Sequence, residues 1–179
     1  MVILITGASH TGKTVLAQKL LEKRQVPYLS IDHLKMGLIR SGQTDLTPAD
    51  DEKLTEYLWP IVREMIKTAI ENRQNLTVEG CYVPPRWRKD FDEAYLASIR
   101  FVCLAMTDAY VDAHFDDVLR HADDAERRLT DCGLTPERLK AGNRAYSDGF
   151  RAAGERVVLI DGSYEDAMRE AERRAEGRI

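Results

Sequence analysis

The chain has 179 residues, which is long enough for one domain with a substantial hydrophobic core but short for two. Apolar residues make up 44% and charged residues 31% of the sequence, a balance that is typical of a globular protein and excludes extensive disorder. The formal net charge of -4 argues against nonspecific nucleic-acid binding, which needs clustered Lys and Arg, but a small anionic substrate needs only a few local cations.

The first elements alternate between strand and helix. A continuous apolar run at residues 2–6 stops at Gly7, which is typical of a strand buried on both faces of a parallel sheet. Residues 13–24 have the apolar spacing of a helix. Residues 27–31 then predict a second strand, and residues 33–40 a second helix.

The middle of the chain predicts a long helix. Thr47 followed by Pro48 is typical of a helix start, with a capping residue and a proline in the first turn. We expect this helix to reach about residue 72, with a kink or a break at Pro60. Further strands are predicted at residues 75–79, 99–106 and 156–160, and further helices at 108 to about 129, 136 to about 153, and 164–174.

This order of elements predicts the fold class. Strands that alternate with helices favour right-handed crossovers and a five-stranded, mostly parallel, doubly wound α/β sheet flanked by helices. We therefore predict one domain spanning residues 1–179. The helices between residues 108 and 154 interrupt the alternation before the last strand, and this is where we expect a helical lid insertion.

The cysteines and the apolar runs bear on the cellular setting. Cys81, Cys103 and Cys132 lie far apart and lack the spacing of metal ligands. No apolar run approaches the ~20 residues that span a bilayer, and the apolar start leads directly into a glycine loop without a basic leader. We predict a soluble, cytoplasmic protein with reduced thiols and no membrane partner. The oligomeric state stays open.

Residues 7–14 read GASHTGKT and match the phosphate-loop pattern G-x-x-x-x-G-K-[ST] at each fixed position, between a predicted strand and a predicted helix. The glycines let backbone N–H groups point at phosphate oxygens, Lys13 would reach the β- and γ-phosphates, and Thr14 would offer its hydroxyl to magnesium. A glycine turn that merely joins two elements is the alternative. The pattern favours a P-loop NTPase fold that binds ATP and Mg²⁺. The nucleotide-binding residues would be Gly7, Ala8, Ser9, His10, Thr11, Gly12, Lys13 and Thr14. For His10 the alternative is an exposed loop residue that does not touch the ligand, because variable loop positions tolerate most residues.

Two carboxylates end the second and third predicted strands, Asp32 and Glu79. Ligands gather outside the carboxyl ends of parallel strands, so both should face the phosphate loop. One carboxylate can accept the proton of an acceptor hydroxyl, and the other can hold magnesium. Asp32 could instead cap a helix, and Glu79 could instead pair with an arginine.

Further side chains near these carboxylates are candidate acceptor-binding residues. Lys35 and Arg40 follow Asp32 and would suit an acidic acceptor, or form an ordinary surface. Tyr82 and Arg86 follow Glu79 and would line the acceptor site.

These features resemble the small P-loop kinases of the nucleoside and metabolite kinase superfamily, which include chloramphenicol phosphotransferase-like, zeta-toxin-like, gluconate kinase, 2-phosphoglycerate kinase-like and adenylate kinase-like proteins. The resemblance covers nearly the whole chain in the order of its elements, and the phosphate loop is its sharp motif. It implies that Asp32 acts on the acceptor and that Glu79 is the acidic residue of the third strand. The phosphate loop lacks the proline of adenylate kinases, which disfavours a nucleoside-monophosphate kinase.

The resemblance also implies roles near the end of the chain. Backbone around Asp161 and Gly162 would line the adenine site. Arginines of the lid would cover the phosphates, although the acidic residues around them also suit a solvated, salt-bridged face. The candidate lid arginines are Arg120, Arg127 and Arg128.

The predicted function is therefore an ATP-dependent phosphotransferase that moves the γ-phosphoryl group to a hydroxyl or phosphate of a small-molecule acceptor. Lys13, Asp32 and the lid arginines would be its catalytic residues. A nucleotide-binding regulatory ATPase module without an acceptor is the alternative from another class, and a nucleoside-monophosphate kinase is a second. The sequence leaves the acceptor open.

Overall fold

Five strands form one sheet in the computed structural model, which describes residues 1–121 and 133–177. Every pair of neighbouring strands is parallel, so the sheet predicted as mostly parallel is wholly parallel. The central strand is buried along its whole length because helices cover both of its faces. The strands are β1 (Val2–Gly7), β2 (Tyr28–Ser30), β3 (Leu76–Glu79), β4 (Ile99–Met106) and β5 (Val157–Ile160), arranged in the order β2-β3-β1-β4-β5.

Helices pack on both faces of this sheet, which confirms the doubly wound prediction. On one face, Ile3 and Ile5 of β1 share a buried cluster with Leu16. On the other face, Leu4 shares a cluster with Leu58 and Phe150. The helices are α1 (Lys13–Arg24), α2 (Ile31–Arg40), α3 (Asp51–Glu71), α4 (Glu93–Leu96), α5 (Asp108–Arg120), α6 (Pro136–Ala152) and α7 (Tyr164–Ala175), with a 3-10 turn at Trp87–Asp90.

The long helix α3 differs from its prediction at two points. It begins at Asp51, not at Thr47, because the Asp50 carboxylate accepts hydrogen bonds from the backbone N–H of Thr47 at 2.9 Å and from its hydroxyl at 2.7 Å and so closes a turn before the helix. The predicted break at Pro60 does not occur, and α3 is one helix through this residue. Proline removes one N–H donor, but the buried apolar side chains of both halves of α3 keep it on the sheet.

Helix α6 belongs to the layer that covers the sheet. Its Leu139 and Phe150 are 3% and 1% exposed, and the Asn143 side-chain oxygen accepts a hydrogen bond from the backbone N–H of Met106 at 2.7 Å. The region predicted as a lid, residues 108–154, therefore includes a helix that is held against β4. Within the described residues, 1–121 and 133–177, no helix has both the length and the apolar composition that crossing a bilayer requires.

An ion-pair cluster joins α1 to α7. Lys19 lies 2.8 Å from the carboxylate of Glu172, and Lys23 binds the same carboxylate. The hydrogen bonds from Lys19 and Lys23 lower the pKa of Glu172 below its ordinary value. A carboxyl whose pKa falls on folding stabilises the folded state above its unfolded-state pKa, and this contribution is lost as the pH falls through the folded-state pKa.

We expect Glu172→Gln to lower the free energy of unfolding at pH 7 and to have a smaller effect at pH 3. The wild-type carboxylate is progressively protonated as the pH falls, and it then loses its attraction for the two lysines. Urea unfolding at both pH values measures the difference. Glu56→Gln, on the exposed side of α3, is the control and should change stability at neither pH. An equal loss at both pH values would contradict an electrostatic role for Glu172.

Candidate functional site

The predicted phosphate loop lies between β1 and α1, so the motif has the strand-loop-helix context that it requires. Gly12 has a φ of 82°, in the left-handed region that favours glycine, and it is the N-cap of α1 without a side-chain hydrogen bond. The first turn of α1 therefore has no side-chain cap for its N–H groups. Together with the helix dipole, these N–H groups favour an anion at this position.

The loop folds tightly against β4 and around its own lysine. A Cβ atom on Gly7 would lie 2.5 Å from the Leu104 carbonyl oxygen, so only glycine fits there without a shift of the backbone. The Lys13 ammonium donates to the Ala8 carbonyl at 2.8 Å, and the Thr11 hydroxyl donates to the same oxygen, also at 2.8 Å. Lys13 is 7% exposed, so the loop holds its cation close to the backbone that would surround a phosphate.

Glu79 lies beside the phosphate loop. It is the last residue of β3, it pairs in register with Ile5 of β1, and it is 1% exposed. The Thr14 hydroxyl donates to Glu79 Oε2 at 3.3 Å. The two predicted metal-binding side chains are therefore neighbours, and both offer the oxygen ligands that magnesium prefers.

Asp32 differs in position from its prediction. Because β2 ends at Ser30, which is the N-cap of α2, Asp32 lies in the first turn of that helix and neither ends the strand nor caps the helix. Lys35, one turn further on, donates from its ammonium group to Asp32 Oδ1 at 2.5 Å. The carboxylate is therefore held on the side of α2 that carries Lys35.

Lys35 extends this pair into a row of polar side chains. Its ammonium group also donates to the Tyr82 hydroxyl at 3.0 Å, and that hydroxyl donates to Asp51 Oδ1 at 3.1 Å. Tyr82 is 3% exposed, and burial raises its pKa, so it stays a neutral hydrogen-bond donor. We call Asp32, Lys35, Tyr82 and Asp51 the acceptor-side network.

Two residues of this region were not predicted as site residues from the sequence. Asp51 is the first residue of α3, where an acidic residue is favoured by the helix dipole and gives no separate signal. Tyr146 of α6 reaches the ends of β1 and β3, where its hydroxyl donates to the Cys81 carbonyl at 2.8 Å. Tyr146 and Cys81 are 65 positions apart in the chain, and no sequence pattern links them.

The start of α2 approaches the end of β3 at Gly80. A Cβ atom on Gly80 would lie 2.7 Å from Cβ of Ile31, which is fully buried. The absence of a side chain at Gly80 therefore allows α2 to bring Asp32 next to the strand that carries Glu79.

We expect Gly80→Ala to destabilise the protein by about 1–3 kcal/mol, because the added methyl group overpacks a buried contact. Gly142→Ala is the matched control, since Gly142 is an exposed residue of α6 and an added Cβ would meet no atom within 4 Å. That change should stabilise by about 0.5–1 kcal/mol through helix propensity. Urea unfolding of both variants tests the contrast, and equal effects of the two substitutions would contradict it.

The other predicted acceptor residues lie nearer the surface. Arg40 is the last residue of α2, and Arg86 precedes the 3-10 turn; both are exposed. Trp87, the neighbour of Arg86, is fully buried and stacks on Phe101 at a centroid distance of 5.1 Å. The chain after Glu79 thus turns one side chain into the core and the adjacent one into solvent.

The residues assigned to adenine and to the lid follow β5 and α5. Asp161 and Gly162 lie directly after β5 and are exposed, and Asp161 Oδ1 accepts a hydrogen bond from the Thr107 hydroxyl at 3.0 Å. Arg120, the last residue of α5, forms an ion pair with Asp117 of the same helix. The other two lid candidates, Arg127 and Arg128, lie outside the described residues.

Comparison with known proteins identifies the fold. No protein-family model and no curated protein matches the sequence. One matching solved structure is a gluconokinase from Sinorhizobium meliloti 1021, with 15% sequence identity and a TM-score of 0.56, and the match covers 98% of this chain and 91% of that chain. A second is a shikimate kinase from Bacteroides thetaiotaomicron, with 18% identity, a TM-score of 0.59 and coverage of 98% of each chain. A third is a deoxyadenosine kinase from M. mycoides, with 12% identity, a TM-score of 0.57 and coverage of 99% of this chain and 100% of that chain. With its wholly parallel sheet and its phosphate loop between β1 and α1, this chain has the fold of the small P-loop kinases.

Proposed function

We propose that the protein is an ATP-dependent phosphotransferase that transfers the γ-phosphoryl group to a hydroxyl or phosphate of a small-molecule acceptor. One observation carries the proposal. The phosphate loop follows β1, the acceptor-side network follows β2 and β3, and these three strands are neighbours whose carboxyl ends share one edge of the sheet.

The nucleotide half of this site consists of the phosphate loop and the first turn of α1. ATP phosphates would lie over the uncapped N–H groups of α1, where the Lys13 ammonium would exchange the Ala8 carbonyl for the β- and γ-phosphate oxygens. Asp161 and Gly162 are exposed, and their backbone is our candidate for the adenine contact.

Thr14 and Glu79 are the side chains that would hold magnesium, directly or through its waters. Among the described residues no group of three or more His, Cys, Asp or Glu side chains forms a metal cluster. Magnesium that keeps several waters and binds phosphates needs only one or two protein ligands, so a hydroxyl and a carboxylate suffice. When bound, the ion would neutralise charge on the phosphate oxygens during transfer.

The acceptor half is the acceptor-side network. Lys35 binds Oδ1 of Asp32, so the other carboxylate oxygen is the one that would accept the proton of an acceptor hydroxyl. Arg40 and Arg86 remain candidates for an anionic acceptor, and Arg120, Arg127 and Arg128 for phosphate contacts. Gluconokinase, shikimate kinase and deoxyadenosine kinase are named for different small molecules, so the shared fold does not select the acceptor.

A panel of acceptors tests the proposal. ADP release from Mg-ATP would be measured with gluconate, shikimate, glycerate, deoxyadenosine, AMP and a single-stranded oligonucleotide, each against water alone. We expect one of the small molecules to raise the rate and the oligonucleotide to leave it unchanged. ATP binding without stimulation by any acceptor would favour the regulatory module instead, and phosphorylated oligonucleotide would indicate a nucleic-acid kinase.

A further inference from the structure

The Tyr146 hydroxyl contacts two residues that flank the two halves of the proposed site. It lies 2.5 Å from the Thr6 hydroxyl and donates to the Cys81 carbonyl at 2.8 Å, and the Thr6 hydroxyl donates to the Gly80 carbonyl at 2.8 Å. Thr6 directly precedes the phosphate loop, and Cys81 directly precedes Tyr82 of the acceptor-side network. One side chain of α6 therefore joins two segments that are far apart in the chain.

These contacts form a set that shares few protons. The two carbonyl oxygens can only accept, and each of the two hydroxyls carries one proton, so these two protons serve three contacts; the Gly7 backbone N–H is a further donor to the Tyr146 hydroxyl. If Thr6 donates to Gly80, Tyr146 divides its proton between the Cys81 carbonyl and the Thr6 hydroxyl. A shift of either segment therefore alters the hydrogen bonding of the other.

The Cys81 carbonyl oxygen lies next to Tyr82 in the chain. It belongs to the planar peptide unit whose other end is the Tyr82 N–H, so a bond to this oxygen restrains the peptide that leads into Tyr82. The Tyr82 hydroxyl in turn accepts from Lys35, which holds Asp32. A chain of contacts thus runs from Thr6, at the β1 end of the phosphate loop, to Asp32, the proposed acceptor carboxylate.

Packing alone does not account for the hydroxyl. The ring of Tyr146 stacks on Phe150 at a centroid distance of 5.0 Å, and a phenylalanine would preserve that contact. Withdrawing a hydroxyl from water is unfavourable unless it forms hydrogen bonds, which this one does on both sides.

We propose that Tyr146 is a positioning residue whose hydroxyl couples the phosphate loop to the acceptor-side network, so that a bound nucleotide orders residues 80–83. This inference rests on the proposed nucleotide binding and adds the route by which the acceptor half responds to it.

Hydrogen exchange of the full chain, measured by mass spectrometry with and without Mg²⁺ and a non-hydrolysable ATP analogue, tests the coupling without knowledge of the acceptor. In the wild type we expect slower exchange in two peptides, one covering residues 7–16 and one covering residues 78–83. In Tyr146→Phe the first should stay protected, and the nucleotide-dependent protection of the second should fall about fivefold, the equivalent of one net hydrogen bond.

Thr6→Val removes the other hydroxyl of the set and should give the same loss of nucleotide-dependent protection at residues 78–83. This variant tests the coupling if Tyr146→Phe does not fold. Tyr57→Phe is the matched control, since its hydroxyl bonds the Gln43 carbonyl at 3.1 Å on the surface, and both peptides should behave as in the wild type. Equal protection of residues 78–83 in all variants would overturn the coupling, as would a wild type in which only the phosphate loop responds. A wild type without protection of residues 7–16 would contradict nucleotide binding itself and remove the basis of this inference.

Discussion

Replacing Lys13 with methionine should reduce ATP turnover by at least about 100-fold while leaving the protein folded. In the proposed reaction the ammonium group neutralises charge that develops on the β- and γ-phosphates, and removal of one such group costs about 10²–10³ in rate. The fold should persist because methionine keeps most of the buried aliphatic stem, and the lost bond to the Ala8 carbonyl is shared with Thr11. Acceptor-dependent ADP release and thermal unfolding measure the two quantities.

Lys53→Met is the matched control for this prediction. Lys53 is 71% exposed near the start of α3, and it should be dispensable for turnover. A Lys13→Met variant that turns over ATP at the wild-type rate would exclude this loop as the catalytic phosphate site. Loss of activity together with loss of the folded state would indicate a structural role for Lys13 instead.

Replacing Asp32 with asparagine should lower phosphoryl transfer by about 10²- to 10⁴-fold, the usual contribution of a positioned acid or base. ATP binding should be retained, because Asp32 belongs to α2 and the proposed nucleotide contacts belong to the phosphate loop, α1 and the residues that follow β5. Asparagine keeps an oxygen that can accept from Lys35 but cannot take up the acceptor proton. Transfer to the acceptor identified by the panel and calorimetric titration with Mg-ADP separate the two effects.

Two further variants make this prediction specific. Lys35→Met breaks the ion pair but leaves the Asp32 carboxylate, so it should reduce transfer less than Asp32→Asn if the carboxylate itself acts on the acceptor. Asp45→Asn, at an exposed position after α2, is the charge-matched control and should transfer normally. Normal turnover of the Asp32→Asn variant would contradict the assignment of Asp32 as the group that accepts the proton of the acceptor.

The elements that sequence reasoning placed well have local signals. β4 lies at the residues predicted for it because its apolar run is continuous and bounded, and β1 and α1 enclose a loop whose glycines and lysine form a contiguous pattern. The predicted start of α3 was wrong, although the sequence signal for it was also local. Thr47 and Pro48 are typical of a helix start, but Asp50 bonds Thr47 in a turn, and the helix begins four residues later than Thr47.

The misplacement of Asp32 has a tertiary cause. The apolar run that predicts β2 includes Ile31, but the absence of a side chain at Gly80 lets Ile31 pack closely as the first residue of α2. The contact joins residues about fifty positions apart in the sequence, and a pattern of neighbouring residues carries no information about it. The same limit applies to α6, whose packing on β4 includes a hydrogen bond from the Met106 backbone N–H to the Asn143 side chain.

By itself, the sequence determined that this protein has a phosphate loop between a buried strand and a helix, because that site is made of consecutive residues whose backbone conformation depends on their own glycines. Only the tertiary structure decided what faces the loop. Parallel strands are joined through crossovers, so their carboxyl ends meet only when the sheet forms in its order β2-β3-β1-β4-β5. That assembly places Glu79 beside Thr14, and brings the Tyr146 hydroxyl between the phosphate loop and the acceptor-side network.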